Sequence, residues 1–303
     1  MSHRLATRLA RYARLAKPSD PAHRLNRLCR RDVFADPAWR KWWDVLAIPD
    51  DTCMHRKAFE WIHCVYGMER LGVLGPAAKV LGVGAGHERP LYHFANRSAL
   101  TVATDLYDYS GVWTGEGAEE GNPVFLTNPA AFAPFDYAQP RLTPMVCDGR
   151  TLPFADNSFD AVYSLSSIEH FGGDQHEGAT MAVREMARVV RTGGVVCIAT
   201  EWILDGPAHH EFFLPHELQR VIDRSGLIPV EPIDLTPPEP DLMAHPIADM
   251  HGEYDGTHIV LTNGATTWTS VVVFLRKPTN RELFARWTRL GSGLPFPARR
   301  ADA

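Results

Sequence analysis

Val80-Leu81-Gly82-Val83-Gly84-Ala85-Gly86-His87-Glu88 is a short apolar run that gives way to a glycine-rich turn and then to a helix-forming stretch over residues 90–96. Glycine lacks a Cβ, so a turn built from it can take positive φ and let the backbone come close to a ligand. Taken alone, G-x-G-x-G fits a tight strand–helix turn, a dinucleotide site or a nucleoside site. The residues that follow narrow the choice.

From residue 78 onward, apolar runs alternate with helical periods. Residues 99–104 form a second β-like run ending at Asp105, and residues 142–146 a third, followed by Cys147-Asp148-Gly149. Residues 159–165 and 195–199 supply a fourth and fifth, 227–230 a sixth and 267–275 a long final one. Between them lie helical stretches over 179–190, stopped by Gly193-Gly194, and over 215–225, closed by Gly226. This alternation predicts an α/β sheet with helices on both faces, with ligands at the carboxyl ends of its strands. Upstream, residues 3–17, 38–47 and 53–71 read as helices. A division into a helical arm or cap (1–70), a sheet domain (71–278) and a tail (279–303) is expected. Within the sheet domain, loop insertions fall at about 107–141 and 231–256. Long loops of this kind often form lids or binding loops. The first carries Tyr107, Tyr109, Trp113, Phe125, Phe132, Phe135 and Tyr137.

Asp105 lies 19 residues after Gly86, where a carboxylate can accept ribose hydroxyls. Asp148-Gly149 closes the third strand. Then come Leu152-Pro153-Phe154-Ala155-Asp156-Asn157-Ser158-Phe159-Asp160 and, later, the run EMARVVRTGG over residues 185–194. In this order the elements resemble the class I S-adenosylmethionine-dependent methyltransferases, in the type 11-like branch, over roughly residues 57–205. The resemblance implies a Rossmann-like, doubly wound, seven-stranded sheet with the last strand antiparallel, here with an N-terminal helical extension. It implies S-adenosylmethionine as cofactor. Gly84, Ala85 and Gly86 would pack on its methionine moiety, with Gly82 also in the cofactor-binding set, and Asp105 would bind the ribose, with Leu106 beside the adenine. Asp148, Gly149 and Arg150 would frame the adenine, and Ser164 and Leu165 would line the methyl-donor side. The family usually carries an acid where this chain has Gly82 and a glycine where it has Glu88. Glu88 is therefore either a substitute partner for the methionine ammonium or a helix-terminal acid.

Methyl transfer to oxygen needs alignment and a base. Ser166-Ser167-Ile168-Glu169-His170-Phe171-Gly172-Gly173 follows the fourth strand. Its His170 or Glu169 is the expected base, and Glu201, just past the fifth strand, faces the same mouth. A histidine titrates near neutrality, as a general base should; the alternative is that His170 only packs or caps the next helix. Lys57, Phe59, Glu60 and Trp61, on the helix before the first strand, are secondary candidates for ligand contacts. Fourteen histidines are present, yet His209-His210-Glu211 and the acidic, His-rich 231–256 segment show no fixed ligand spacing, so no metal is expected.

The chain has 303 residues, 45% hydrophobic and 22% charged, which excludes disorder as the main state. No apolar run approaches the ~20 residues of a membrane span. Five scattered cysteines without a CxxC pair fit a reducing, cytoplasmic setting. The net charge of −5 is uneven: residues 1–31 hold nine Arg or Lys and one acid, Asp20. That arm either docks on the acidic body or contacts an anionic membrane surface. The acidic body argues against nucleic acid as a partner. The expected reaction is methyl transfer to a small polar acceptor, a sugar or glycan hydroxyl foremost. N-methylation of a small molecule and a non-catalytic, cofactor-binding scaffold are the alternatives. An NAD-dependent oxidoreductase is disfavoured because Arg89 breaks the G-x-G-x-x-G spacing.

Overall fold

The computed structural model describes residues 24–49, 54–107, 121–248, 257–279 and 282. The expected helix over residues 3–17 lies outside these. Where the sequence shows short apolar runs, strands form: β2 (Gly75–Val83), β3 (Ser98–Asp105), β4 (Leu142–Val146) and β5 (Phe159–Leu165). β6 (Val190–Asp205) and β9 (Thr267–Arg276) are longer, and β1 (Arg27–Leu28), β7 (Ile228–Pro229) and β8 (Leu261–Thr262) are two-residue strands. The sheet order is β1-β9-β6-β5-β2-β3-β4, with β7 and β8 also paired to β9. β4, β3, β2, β5 and β6 run parallel, and β9 is antiparallel to β6. The doubly wound sheet with an antiparallel last strand is thus as expected; among the described residues its path runs through seven strands, and β7 and β8 pair with β9 beside that path. The short strands β1, β7 and β8 all use β9 as their antiparallel template.

Successive residues of a strand point to opposite faces, and the strands here are buried on both. Val80, Ala161 and Tyr163 join one core, with Trp39, Trp43, Phe59, Ile62 and Phe94. Leu81 and Val162 join the other, with Val183, Met186, Val221 and Ile222. The first core is covered by α2 (Pro37–Val45), α3 (Arg56–Arg70) and α4 (Arg89–Arg97), preceded by the single turn α1 (Arg31–Phe34). The second is covered by α5 (Glu177–Val189) and α6 (Pro215–Ser225). Asp36 caps α2 by accepting from the Ala38 N–H, with Pro37 at the first turn. Gly226 ends α6 at φ 78°, the left-handed conformation expected of it.

One boundary differs from expectation. The helix stops at Val189, and Gly193-Gly194 lie inside β6 rather than ending α5. The Val190 backbone is extended and pairs with Phe159, a register shift follows, and Val195 pairs with Ala161. Gly193 N–H donates to the Lys277 carbonyl and Lys277 N–H to the Gly194 carbonyl. A Cβ on Gly194 would lie 2.7 Å from the Asp160 carbonyl oxygen, so the bulge requires glycine.

The segment before residue 71 is continuous with the sheet. Asn26 binds both sides of β9's neighbourhood: Phe274 N–H donates to its Oδ1 at 2.6 Å and its Nδ2 donates to the Glu231 carbonyl at 2.8 Å. Three of the four described basic residues of the arm meet carboxylates: Arg27 with Asp32, Arg30 with Glu239, and Arg31 with Asp241 of the helical turn α7 (Pro240–Ala244). The 107–141 insertion is anchored by its aromatics, with Phe125 fully buried against Tyr107 and Phe132, and Phe135 and Tyr137 edge-on to Tyr92. Tyr109 and Trp113 lie outside the described residues. Among the described residues no helix is long and apolar enough to cross a membrane.

Candidate functional site

At the carboxyl end of β2 the chain turns through Gly84 (φ 63°) and Gly86 (φ 44°). Ala85 N–H is held by the Thr104 carbonyl, and Gly86 N–H donates to Asp105 Oδ2 at 2.9 Å. Asp105 Oδ1 accepts from the Leu106 N–H at 2.7 Å, and Tyr107 Oη donates to the Gly86 carbonyl at 2.9 Å. Asp105 therefore fixes the glycine turn from the next strand while standing at the sheet's carboxyl edge. Ser167 Oγ donates to the Gly84 carbonyl at 2.6 Å, and a Cβ on Gly84 would lie 2.6 Å from Ser167 Cβ. The turn is thus pinned from both neighbouring strands.

Further along the edge, Asp148 and Arg150 form a bidentate pair, with Arg150 Nη2 to Asp148 Oδ2 at 2.7 Å. That pairing holds the Asp148 carboxyl below its ordinary value. Gly149 packs between Val83 and the Phe171 ring. Leu106 and Val146 are 57% and 56% exposed, large apolar side chains left open at the ends of β3 and β4. Ser164 and Leu165 are buried; the Leu165 carbonyl, rather than its side chain, reaches Ser167 Oγ at 3.2 Å and Lys57 Nζ at 3.5 Å.

The expected acceptor side is a buried polar cluster. Ile168–His170 is a single 3-10 turn after Ser166, whose φ of 47° is unusual for a residue with a side chain. The turn sends its two expected bases apart. Glu169 points inward, where Thr200 Oγ1 donates to its Oε2 at 2.9 Å. His170 stays partly open, with Nδ1 3.5 Å from Glu211 Oε1. Glu201 is not past the strand but inside β6, because that strand continues to Asp205; its side chain is buried and meets Arg56 Nη1 at 2.6 Å. Glu60 accepts from Ser166 Oγ at 2.7 Å and also from Ser270 Oγ, with Arg56 and Lys57 at 3.2 and 3.6 Å.

Burial pushes the Glu169 carboxyl well above the usual range, and the neighbouring Glu201 charge adds to it. Burial would raise Glu201 too, but Arg56 and the hydrogen bond with Glu169 outweigh it and bring it down to about 2. Burial and the Glu201 charge thus favour the protonated form of Glu169, while Arg56 favours the charged form of Glu201. Burial lowers His170, against the opposing pull of Glu201 and Glu211.

Of the secondary candidates, Lys57 and Glu60 join this cluster, Phe59 is core, and Trp61 lines a cavity of about 210 Å³ with His87, Glu88, Arg89, Phe132 and Pro134. Arg56, Thr200 and Ser270 were not singled out by the sequence. For Arg56 a signal existed: it forms an i,i+4 pair with Glu60 on the first turns of the helix. Ser270, in the middle of a Val-rich strand, carried none.

A family model for a methyltransferase domain matches residues 81–198, from β2 to β6. Residues 81–198 carry a methyltransferase domain. The sheet order around this domain is the class I arrangement that the sequence implied. Over 66 residues (22% of this chain and 14% of the relative) the chain is 41% identical to the probable tRNA methyltransferase 9B of Homo sapiens. Over 134 residues it is 34% identical to the demethylmenaquinone methyltransferase of Corynebacterium efficiens, covering 43% of this chain and 44% of that one. The chain thus spans less than half the length of these curated relatives. A putative sarcosine dimethylglycine methyltransferase from Galdieria sulphuraria superposes with a TM-score of 0.49 at 16% identity, over 80% of this chain and 99% of that one. Among the described residues, the methyltransferase domain and its surroundings hold no cluster of three or more His, Cys, Asp or Glu placed to take a metal ion.

Proposed function

We propose that this chain is an S-adenosylmethionine-dependent methyltransferase that methylates a hydroxyl of a small polar acceptor, a sugar or glycan foremost, with His170 as the base. The observation that carries the reading is the polar cluster of Arg56, Glu60, Glu169 and Glu201, built beside the glycine turn past the carboxyl end of β5 and alongside β6. Buried charges are costly to assemble unless paired, and a wall of charged side chains suits an acceptor rich in hydroxyls.

The residues present fit the cofactor. Asp105 presents a carboxylate for ribose hydroxyls, and the exposed Leu106 and Val146 offer apolar contact to a base ring. S-adenosylmethionine, when bound, would supply an electrophilic sulfonium methyl for transfer to the acceptor oxygen and leave as the neutral thioether. The acceptor's proton passes to His170, whose lowered pKa keeps its ring neutral and receptive near neutrality. Glu169, whose burial favours its protonated form, is suited to donate a hydrogen bond and to orient the acceptor rather than to take a proton.

The test is incubation of the purified chain with methyl-labelled S-adenosylmethionine and matched panels of sugars and amines. Label on a sugar hydroxyl, with S-adenosylhomocysteine released, is expected. Label on amines only would overturn the acceptor assignment, and no binding of S-adenosylmethionine by calorimetry would overturn the cofactor as well.

A further inference from the structure

Beyond Asp205 the chain folds back beside its own strand and brings a carboxylate to His170. Phe213 N–H donates to the Glu201 carbonyl and Ile203 N–H to the Phe213 carbonyl, each at 2.9 Å. The Phe213 ring is fully buried and stacks on His176 at 4.0 Å. Two residues earlier, Glu211 N–H donates to His209 Nδ1 at 3.2 Å. The His209 ring stacks on Phe212 at 4.3 Å, and Phe212 stacks on the buried Trp268 of β9 at 4.2 Å. Glu211 thus sits on a backbone anchored by stacked rings. Its Oε1 lies 3.5 Å from His170 Nδ1 and 3.9 Å from Nε2 of the exposed His210. His170 is anchored as well: its N–H donates to the Ser167 carbonyl at 3.0 Å, and Ser167 Oγ holds the Gly84 carbonyl.

A neutral imidazole has one N–H and one lone pair, and the partner of one nitrogen decides the role of the other. A carboxylate at Nδ1 keeps the proton there, so Nε2 carries the lone pair that takes the acceptor's proton. The same carboxylate stabilises the imidazolium formed as that proton arrives. A separation of 3.5 Å suits the role, because catalytic hydrogen bonds are often long before substrate binds and tighten afterwards. We propose that Glu211 is a positioning residue for the reaction, holding the Nδ1–H tautomer of His170 and steadying the imidazolium formed in turnover. This inference rests on His170 as the base. The groups facing the ring act in both directions. Burial lowers His170; Glu201 from β6 and Glu211 raise it, while Lys57 from α3 and His210 lower it further. Glu201 is engaged by Arg56 at 2.6 Å, whereas Glu211 stands at the ring nitrogen itself.

Long-range proton–nitrogen NMR of the imidazoles in the full chain reads tautomer and titration without an acceptor, and His170→Gln identifies the His170 signals. The wild-type chain is expected to show neutral His170 in the Nδ1–H form. Glu211→Ala should move it toward the Nε2–H form that free histidine prefers. It should also lower the His170 pKa further, since a charge that raised it is gone. An unchanged signal from the core residue His63 reports that the variant is folded. With a sugar hydroxyl acceptor from the labelling panel, Glu211→Ala should reduce kcat about tenfold and leave the KM for S-adenosylmethionine unchanged. The acid limb of its pH–rate profile should move to lower pH. A His170 tautomer and titration unchanged in Glu211→Ala would overturn the inference and leave the base assignment standing. Full turnover in His170→Gln would overturn the base assignment, and the part of Glu211 in the reaction with it.

Discussion

Glu169 and His170 are neighbours in sequence, and the 3-10 turn that carries them gives them opposite surroundings. One carboxyl is buried against Thr200 and Glu201; the imidazole remains partly open beside Glu211. The consequence is a split in the response to substitution. Glu169→Gln keeps a neutral hydrogen-bonding group of the same shape, so turnover should fall by less than about tenfold. His170→Gln removes the base and should cost about a hundredfold or more in kcat. Initial-rate kinetics on both variants checks this, and a larger loss for Glu169→Gln would reverse the assignment. The pH profile follows from the same environment. With its pKa below the ordinary ~6.5 of histidine, His170 should be neutral at lower pH than usual, so the rate should reach its plateau on the acid side of that value. Sequence reading brought both residues to the site but could not say which way each faced, because a loop has no periodicity from which to infer direction.

Among the elements, α3 does the most to position the site, since Arg56, Lys57 and Glu60 all lie on its first two turns. It approaches β9 through a glycine: a Cβ at Gly67 would fall 2.1 Å from the buried Phe274 ring. Gly67→Ala forces an overlap that neither the helix nor a packed ring can absorb cheaply. It should cost about 1–3 kcal/mol, read as a lower urea midpoint, and it should weaken the Arg56–Glu201 contact by tilting the helix. At this scale the sequence was most informative where elements are long and apolar. The bounds of β4 and β5 and the glycine stop of α6 were legible because alternation and a left-handed cap leave clear traces. Strands β1, β7 and β8 were not, since two residues carry no pattern and their pairing is decided by a partner far along the chain. The outer part of β6 was hidden by Gly193-Gly194, which read as a stop and serves as a bulge.

For the molecule as a whole, the buried His63 and His258 and the half-buried His55 bear on stability in acid. Burial, assisted by nearby arginines, lowers His63 to about 3, and burial lowers His55 to about 4 and His258 to about 3. All three bind protons more weakly folded than unfolded. Below the unfolded value of ~6.5 the unfolded chain takes up protons that the folded one refuses, so stability rises with pH across this window and is lost as pH falls from about 6.5 toward 4. Urea midpoints should drop steadily over that range, and His63→Gln, which keeps a polar partner for the Leu25 carbonyl, should flatten the slope. A last consequence concerns order in time. β9, the shared partner of β1, β6, β7 and β8, is synthesised after all four of them. Until residue 276 has left the ribosome, β6 presents an open edge and β1 has nothing to join. Non-local pairing of this kind slows folding and exposes intermediates to aggregation. Chains ending before Thr267 should therefore accumulate as insoluble material, whereas the full chain should recover solubility as its first strand closes the sheet last.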